Sequence, residues 1–245
     1  MCPARFWNDR RLRLFELALI CVLAIGGGFL KAIFLALGFP TVTAASGAEV
    51  GIFGWAYKLI QDAALIGLLW YVLLRREKSF SHIGFTWRRK DILWSIMLWI
   101  GGVIASGCLQ GLLSLTGLAT QNPSAAAADV SNYLFHNSIS AMTILAITLN
   151  PFFEELILRG YLMTELKQMT NSVWITVTAS VVIQTIPHFY QGATSAISLS
   201  GLFLVYAIYF AKTGRLVPVI LAHLYCDLGS VLLYLLNAVP APHHG

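Results

Sequence analysis

Seven long apolar runs constrain this chain more than any other feature. They fall at about 14–37, 51–74, 92–118, 139–166, 173–187, 196–211 and 216–236. A run of ~20 apolar residues matches the length of a bilayer-crossing helix, and inside hydrocarbon only helices and closed barrels satisfy their own backbone. The expected fold class is therefore all-α, a polytopic transmembrane helical bundle of seven or eight spans, with residues 1–245 forming one integral membrane domain. Composition agrees. Hydrophobic residues make up 58% and charged residues 11%, against about 45–50% and 25% in soluble domains. Too few charges remain to coat a water-soluble globule of this size. A soluble enzyme, a disordered chain and a nucleic-acid-binding protein are excluded, and the first expected partner is the lipid bilayer. The opening run follows Arg10, Arg11 and Arg13 and precedes Thr43-Ala44-Ala45, the order of parts in a leader peptide. Its apolar stretch is too long for a leader, and it is read as a retained helix.

The basic residues sort by loop. Thirteen of the sixteen lie in segments 1–13, 75–91, 167–172 and 212–215, while the alternate segments 39–50, 119–138 and 189–195 and the tail from Asn237 hold none. By the positive-inside rule the N-terminus is cytoplasmic and the C-terminal end of the last span lies on the opposite side. The net charge of +5 then belongs to topology and lipid headgroups rather than to nucleic acid. Residues 119–138 read as one polar, Ala-rich loop. Cys2, Cys21, Cys108 and Cys226 are widely separated with no CxxC pair, which suggests neither a disulfide framework nor a zinc ribbon.

Ionisable side chains left inside apolar runs are costly and are usually paired or functional. Lys58 and Asp62 are one helical turn apart and are expected to pair. Lys31 lies near the outer end of its helix and can snorkel. The stretch from Asn150 to Gly160 is harder to explain as packing, because it puts Glu154 and Glu155 side by side in one helix. Arg159 follows Glu155 by four residues, so those two are expected to form a clamp on one face. Glu154, rotated by about 100°, is left as the titratable group free to act. Three helices can bring histidines to a compatible depth. Glu154 lies roughly 20 Å inward from Lys167, His188 roughly 24 Å from Ser172 and His223 about 12 Å from Arg215. Asp227 shares a helix face with His223.

These residues resemble the CAAX protease and bacteriocin-processing family, CPBP or Abi. Its intramembrane glutamic endopeptidases include the Ras-converting CAAX endopeptidases. The family pattern EExxxR is present from Glu154 to Arg159. His188 stands for the family's FxxxH, with Gln184 in place of Phe, and His223 with Asp227 matches HxxxN/D in its Asp form. The likeness covers 139–237, a family-like catalytic core. It implies glutamate-dependent hydrolysis of a membrane-associated peptide or protein terminus, prenylated or a precursor, with no cofactor. In that scheme Glu154 and His188 hold and activate water, while His223 and Asp227 stabilise the oxyanion. Glu155, Arg159 and Gln184 support the site.

An ionised Asp227 can only accept hydrogen bonds, so it either acts protonated or orients His223, and orientation is the favoured reading. Two other functions stay open. Glu154, His188, His223 and Asp227 are also an alternative zinc set for a metal-dependent membrane protease. A non-catalytic scaffold or bacteriocin-immunity protein is the third reading. The expected location is a multi-pass position in the plasma (inner) membrane if the chain is prokaryotic. The identity of the substrate is not written in these residues.

Overall fold

The computed structural model describes residues 9–37, 48–117 and 140–238; the Ala-rich loop at 119–138 and the Thr43-Ala44-Ala45 stretch lie outside them. Among the described residues all regular structure is helical. Seven rods run in order: α1 Arg10–Ala36, α2 Ala48–Arg75, α3 Asp91–Leu115, α4 Ala141–Thr170, α5 Val173–Thr185, α6 Ala193–Thr213 and α7 Val217–Ala238. Six contain stretches long and apolar enough to cross a membrane, and α5 is the exception. The run at 173–187, expected to be a helix like the others, gives 13 α-helical residues and then a 3-10 segment, Ile186–Gln191. Pro187 supplies the reason: it has no amide donor and its ring clashes with the carbonyl four residues back, so the α form stops just before it.

Local signals set the ends of the rods. Ser140 caps α4 by accepting from the Thr143 amide at 3.0 Å, and Ser172 caps α5 by accepting from Ile175 at 3.3 Å. Asn171, at φ 52°, turns the chain between α4 and α5. The tight turn at Gly84 has φ 87°, and a Cβ there would sit 2.2 Å from the Gly214 carbonyl oxygen. Only glycine lets the loop between α2 and α3 press against the start of α7 in this way.

α6 packs between α3 and α5, α7 between α3 and α4, and α2 lies along α4. Ile20, Leu69, Leu73, Ile157, Tyr161, Phe203, Tyr206 and Leu216 form the centre of the core. Much large apolar surface faces outward, as on α3 with Ile92, Leu93, Met97, Ile100, Val103 and Ile104. In hydrocarbon that surface needs no further cover. Exposed Trp70, Tyr71, Trp87 and Trp174 cluster near the basic ends of the rods, where amphipathic rings settle at headgroup level.

The basic ends are more than a topology signal. Arg13 holds Glu165 at 2.7 Å and Gln168 at 2.7 Å, Arg76 holds the same Glu165 at 2.9 Å, and Arg76 also pairs with Glu16. This network ties α1, α2 and α4 together. Arg215 pairs with buried Asp91, joining the start of α7 to the start of α3. The excess positive charge stands apart from these pairs, in which Arg13, Arg76 and Arg215 neutralise carboxylates between helices.

α4 carries the fold's main irregularity. From Leu156 to Met163 its hydrogen bonds follow the π pattern, and all eight residues are buried. A π segment amounts to one extra residue accommodated inside an α-helix and is frequent at functional sites. It begins directly after the paired glutamates.

Candidate active site

The two adjacent carboxylates of α4 have different neighbours. Glu155 is fully buried. Its Oε2 lies 3.2 Å from Arg159 Nε, the expected clamp, and its Oε1 lies 2.8 Å from His223 Nδ1. Glu154 is half-buried. The Asn150 amide donates to its Oε1 at 3.0 Å, and the Gln184 amide donates to its Oε2 at 3.1 Å. The same Gln184 nitrogen is 3.4 Å from Glu155 Oε1. Gln184, one turn before His188, thus points at the glutamates rather than at the histidine. A phenylalanine there could not donate to either carboxylate.

His223 uses Nδ1 on Glu155. With Glu155 ionised, Nδ1 carries the hydrogen and Nε2 is the nitrogen left for chemistry. Nε2 faces Asp227 Oδ1 at 3.6 Å, longer than a hydrogen bond. Asp227 is half-buried and has Asn150 as a polar neighbour. The hydrogen bond to the His223 ring therefore comes from Glu155 across the helices, and Asp227, one turn along α7, is the charged neighbour of its other nitrogen.

His188 arrives on the 3-10 segment. Its Nδ1 is 3.2 Å from Gln191 Nε2, and its ring lies 5.2 Å from the Phe203 ring, tilted by 45°. Phe203 also takes the other side of the site: its carbonyl accepts from Arg159 at 3.3 Å, and the guanidinium sits 5.6 Å from its ring. α1 packs over the segment. At Gly28 a Cβ would come within 2.7 Å of Pro187, so glycine is what allows α1 this close to the turn bearing His188. Lys31 lies over the Tyr190 ring at 5.1 Å.

Glu154 interacts electrostatically with His188, His223 and Lys58. The sequence-predicted residues are thereby gathered in one region, with Glu154 at its centre. Lys58 and Asp62 form the expected one-turn pair at 2.9 Å, and the pair borders the site, because Lys58 Nζ lies 5.0 Å from the Phe153 ring centroid. Among the described residues no three His, Cys, Asp or Glu side chains form a group that could hold a metal ion. Three features escaped the sequence reading. They are Asn150, the bridging of both glutamates by Gln184, and the Glu155–His223 hydrogen bond. Only Asn150 left a trace, one turn before Glu154.

Residues 136–229 match the family of type II CAAX prenyl endopeptidases, Rce1-like. This is the family that the EExxxR pattern resembles. The Rce1-like segment contains Glu154, Glu155, Arg159, Gln184, His188, His223 and Asp227, and it spans α4 to most of α7. α1 to α3 lie outside it. No curated protein and no solved structure matches the chain.

Proposed function

We propose that this multi-pass membrane protein is an intramembrane endopeptidase in which Glu154 activates the attacking water. It would cleave a membrane-associated peptide or protein terminus, of CAAX type or from a precursor, without a metal. The observation that carries this reading is the division of labour between the two carboxylates. Glu155 is committed to Arg159 and His223, whereas Glu154 is half-buried, aimed by two amide donors and close to both histidines.

In the proposed reaction Glu154, with His188 beside it, takes a proton from water as the oxygen attacks the scissile carbonyl carbon. The carbonyl oxygen becomes an oxyanion next to Nε2–H of His223 in its doubly protonated form, whose ring is already fixed through Nδ1. Such preoriented donors in a water-poor site are effective because they need no reorganisation during the reaction. The proton held by Glu154 then passes to the leaving amine, the C–N bond breaks, and a carboxylic acid and an amine form, which leave as carboxylate and ammonium once the acid's proton has moved to the amine. Asp227, whose Oδ1 is 3.6 Å from His223 Nε2, can in its protonated form add a second donor to the oxyanion. The family match supports peptide hydrolysis of this class, and a plasma-membrane position follows the same reading if the chain is prokaryotic.

Glu154→Ala is the direct test. Purified in detergent, this variant should melt like the wild type and lose about 10²–10⁴-fold in cleavage rate, the range of general acid–base catalysis. Wild-type cleavage should survive chelator treatment. Near-normal cleavage by Glu154→Ala, or loss of wild-type activity on chelation with recovery on zinc, would overturn the mechanism.

A further inference from the structure

Lys58 lies in a membrane span outside the Rce1-like segment, and helix stability gives it no evident purpose. Its pairing with Asp62 at 2.9 Å uses one of three ammonium donors. The side chain keeps 34% of its surface exposed and rests over Phe153, the chain neighbour of Glu154. A cation held by one carboxylate, with donors to spare and electrostatically joined to Glu154, is arranged to receive an anion brought in with the substrate. Asp62 itself is buried, and it fixes the ammonium in place before any ligand arrives.

We propose that Lys58 receives the free C-terminal carboxylate of the substrate, so that the enzyme reads peptide ends rather than internal segments. This rests on the protease reading above and narrows it. A carboxylate inside the bilayer needs a counter-ion; Arg159 is fully buried and Lys31 lies at Tyr190 beyond His188, so Lys58 is the exposed lysine that borders Glu154. Lys58 Nζ lies 5.0 Å from the ring centroid of Phe153, the chain neighbour of Glu154, and an extended residue spans about 3.3–3.6 Å. A terminus seated on Lys58 therefore puts a bond only a few residues upstream beside Glu154. Among the substrate classes open to this site, the geometry favours short C-terminal tails ending in a free acid over precursors cut far from an end.

The experiment uses the full chain in liposomes and a prenylated peptide ending in Cys-aliphatic-aliphatic-X, made both as the free acid and as the C-terminal amide. Released fragments are quantified by mass spectrometry. The wild type should show a KM about 10-fold or more lower for the acid, the scale of one charge-assisted hydrogen bond. Lys58→Met should raise the acid's KM to that of the amide and so remove the acid-over-amide ratio in kcat/KM. Lys58→Arg should retain the preference, and Asp62→Asn should retain or widen it.

Equal handling of acid and amide by the wild type overturns the assignment while leaving the protease reading intact. So does a preference that survives in Lys58→Met, or an equal loss on both peptides, which marks a structural role. If neither peptide is cleaved the protease reading fails. Fluorescent acid and amide peptides titrated onto the same liposomes then test Lys58 alone, and equal affinities overturn it.

Discussion

Two clusters of charge hold this bundle together, and they are built differently. At the basic ends of the rods Arg13 and Arg76 face Glu16 and Glu165, two cations against two carboxylates. Roughly 15 Å deeper along α4, Asp62, Glu154, Glu155 and Asp227 share a neighbourhood in which Lys58 and Arg159 are the permanent cations. Four acids face two fixed positive charges, and the histidines make up the difference. A balanced cluster can only hold, whereas an unbalanced one whose deficit is filled by titratable rings can move protons. The first is read as a fastener between helices and the second as a reaction site.

Substitutions separate the two roles. The largest effect is expected from Arg159→Leu, which strands Glu155 in the core. Breaking a buried pair costs about 3–5 kcal/mol, so folded yield and melting temperature should both fall and cleavage should vanish. Adding Glu155→Leu should restore part of the melting temperature and none of the activity, because His223 has then lost the partner of its Nδ1. A single variant that melts like wild type would mean that the deep cluster contributes nothing to the fold. Gln184→Leu comes next. Removing a donor to Glu154 should lower kcat about 10-fold, the scale of a hydrogen bond to a charged group, with little change in melting. An unchanged kcat would show that the bridge is only packing.

Glu165→Gln tests the fastener. It should destabilise by about 1–3 kcal/mol, visible as an earlier melt, while kcat/KM on the folded protein stays within about 2-fold. A large loss of kcat/KM without an earlier melt would join the two clusters that appear separate in geometry. The smallest effect belongs to Asp227→Asn. At 3.6 Å from His223 Nε2 the carboxylate is too far to hold the ring, so cleavage should remain within about 3-fold of wild type. A fall of about 100-fold would return the orienting role to Asp227.

Legibility in the sequence followed the range of the interaction. The rods were readable because each depends on the length of its own apolar run, and Lys58–Asp62 and Glu155–Arg159 because both partners lie one turn apart. The break in α5 was also local, since Pro187 is visible in the sequence, but a run of apolar residues around it outweighed that signal. Contacts between rods were not readable. Nothing in the spacing says that Glu155 meets His223 from another helix, or that Gln184 turns toward two carboxylates instead of the histidine that follows it. The pairing of Arg76 with Glu16 and Glu165 was hidden for the same reason, and a count of loop charges sends those residues to the lipid. α1 shows a related limit. Its role over Pro187 depends on Gly28, one of three consecutive glycines with nothing local to distinguish it.

The π segment of α4 makes this site depend on counting. Eight residues wound with one more per turn than usual keep Glu154 and Glu155 in phase with the buried face that continues to Met163. Removing any one residue between Leu156 and Met163 would let the stretch rewind as ordinary α-helix. The turns on either side would keep their phase, because the bulge has absorbed the extra residue, so Glu165 would stay with Arg13 and Arg76. Inside the window the contacts would be reset, Arg159 against Glu155 first. Point changes in this stretch alter one contact at a time, whereas a change in length resets the deep cluster at once and leaves the other in place. Related chains can therefore be expected to keep both Arg159 and the length of this window.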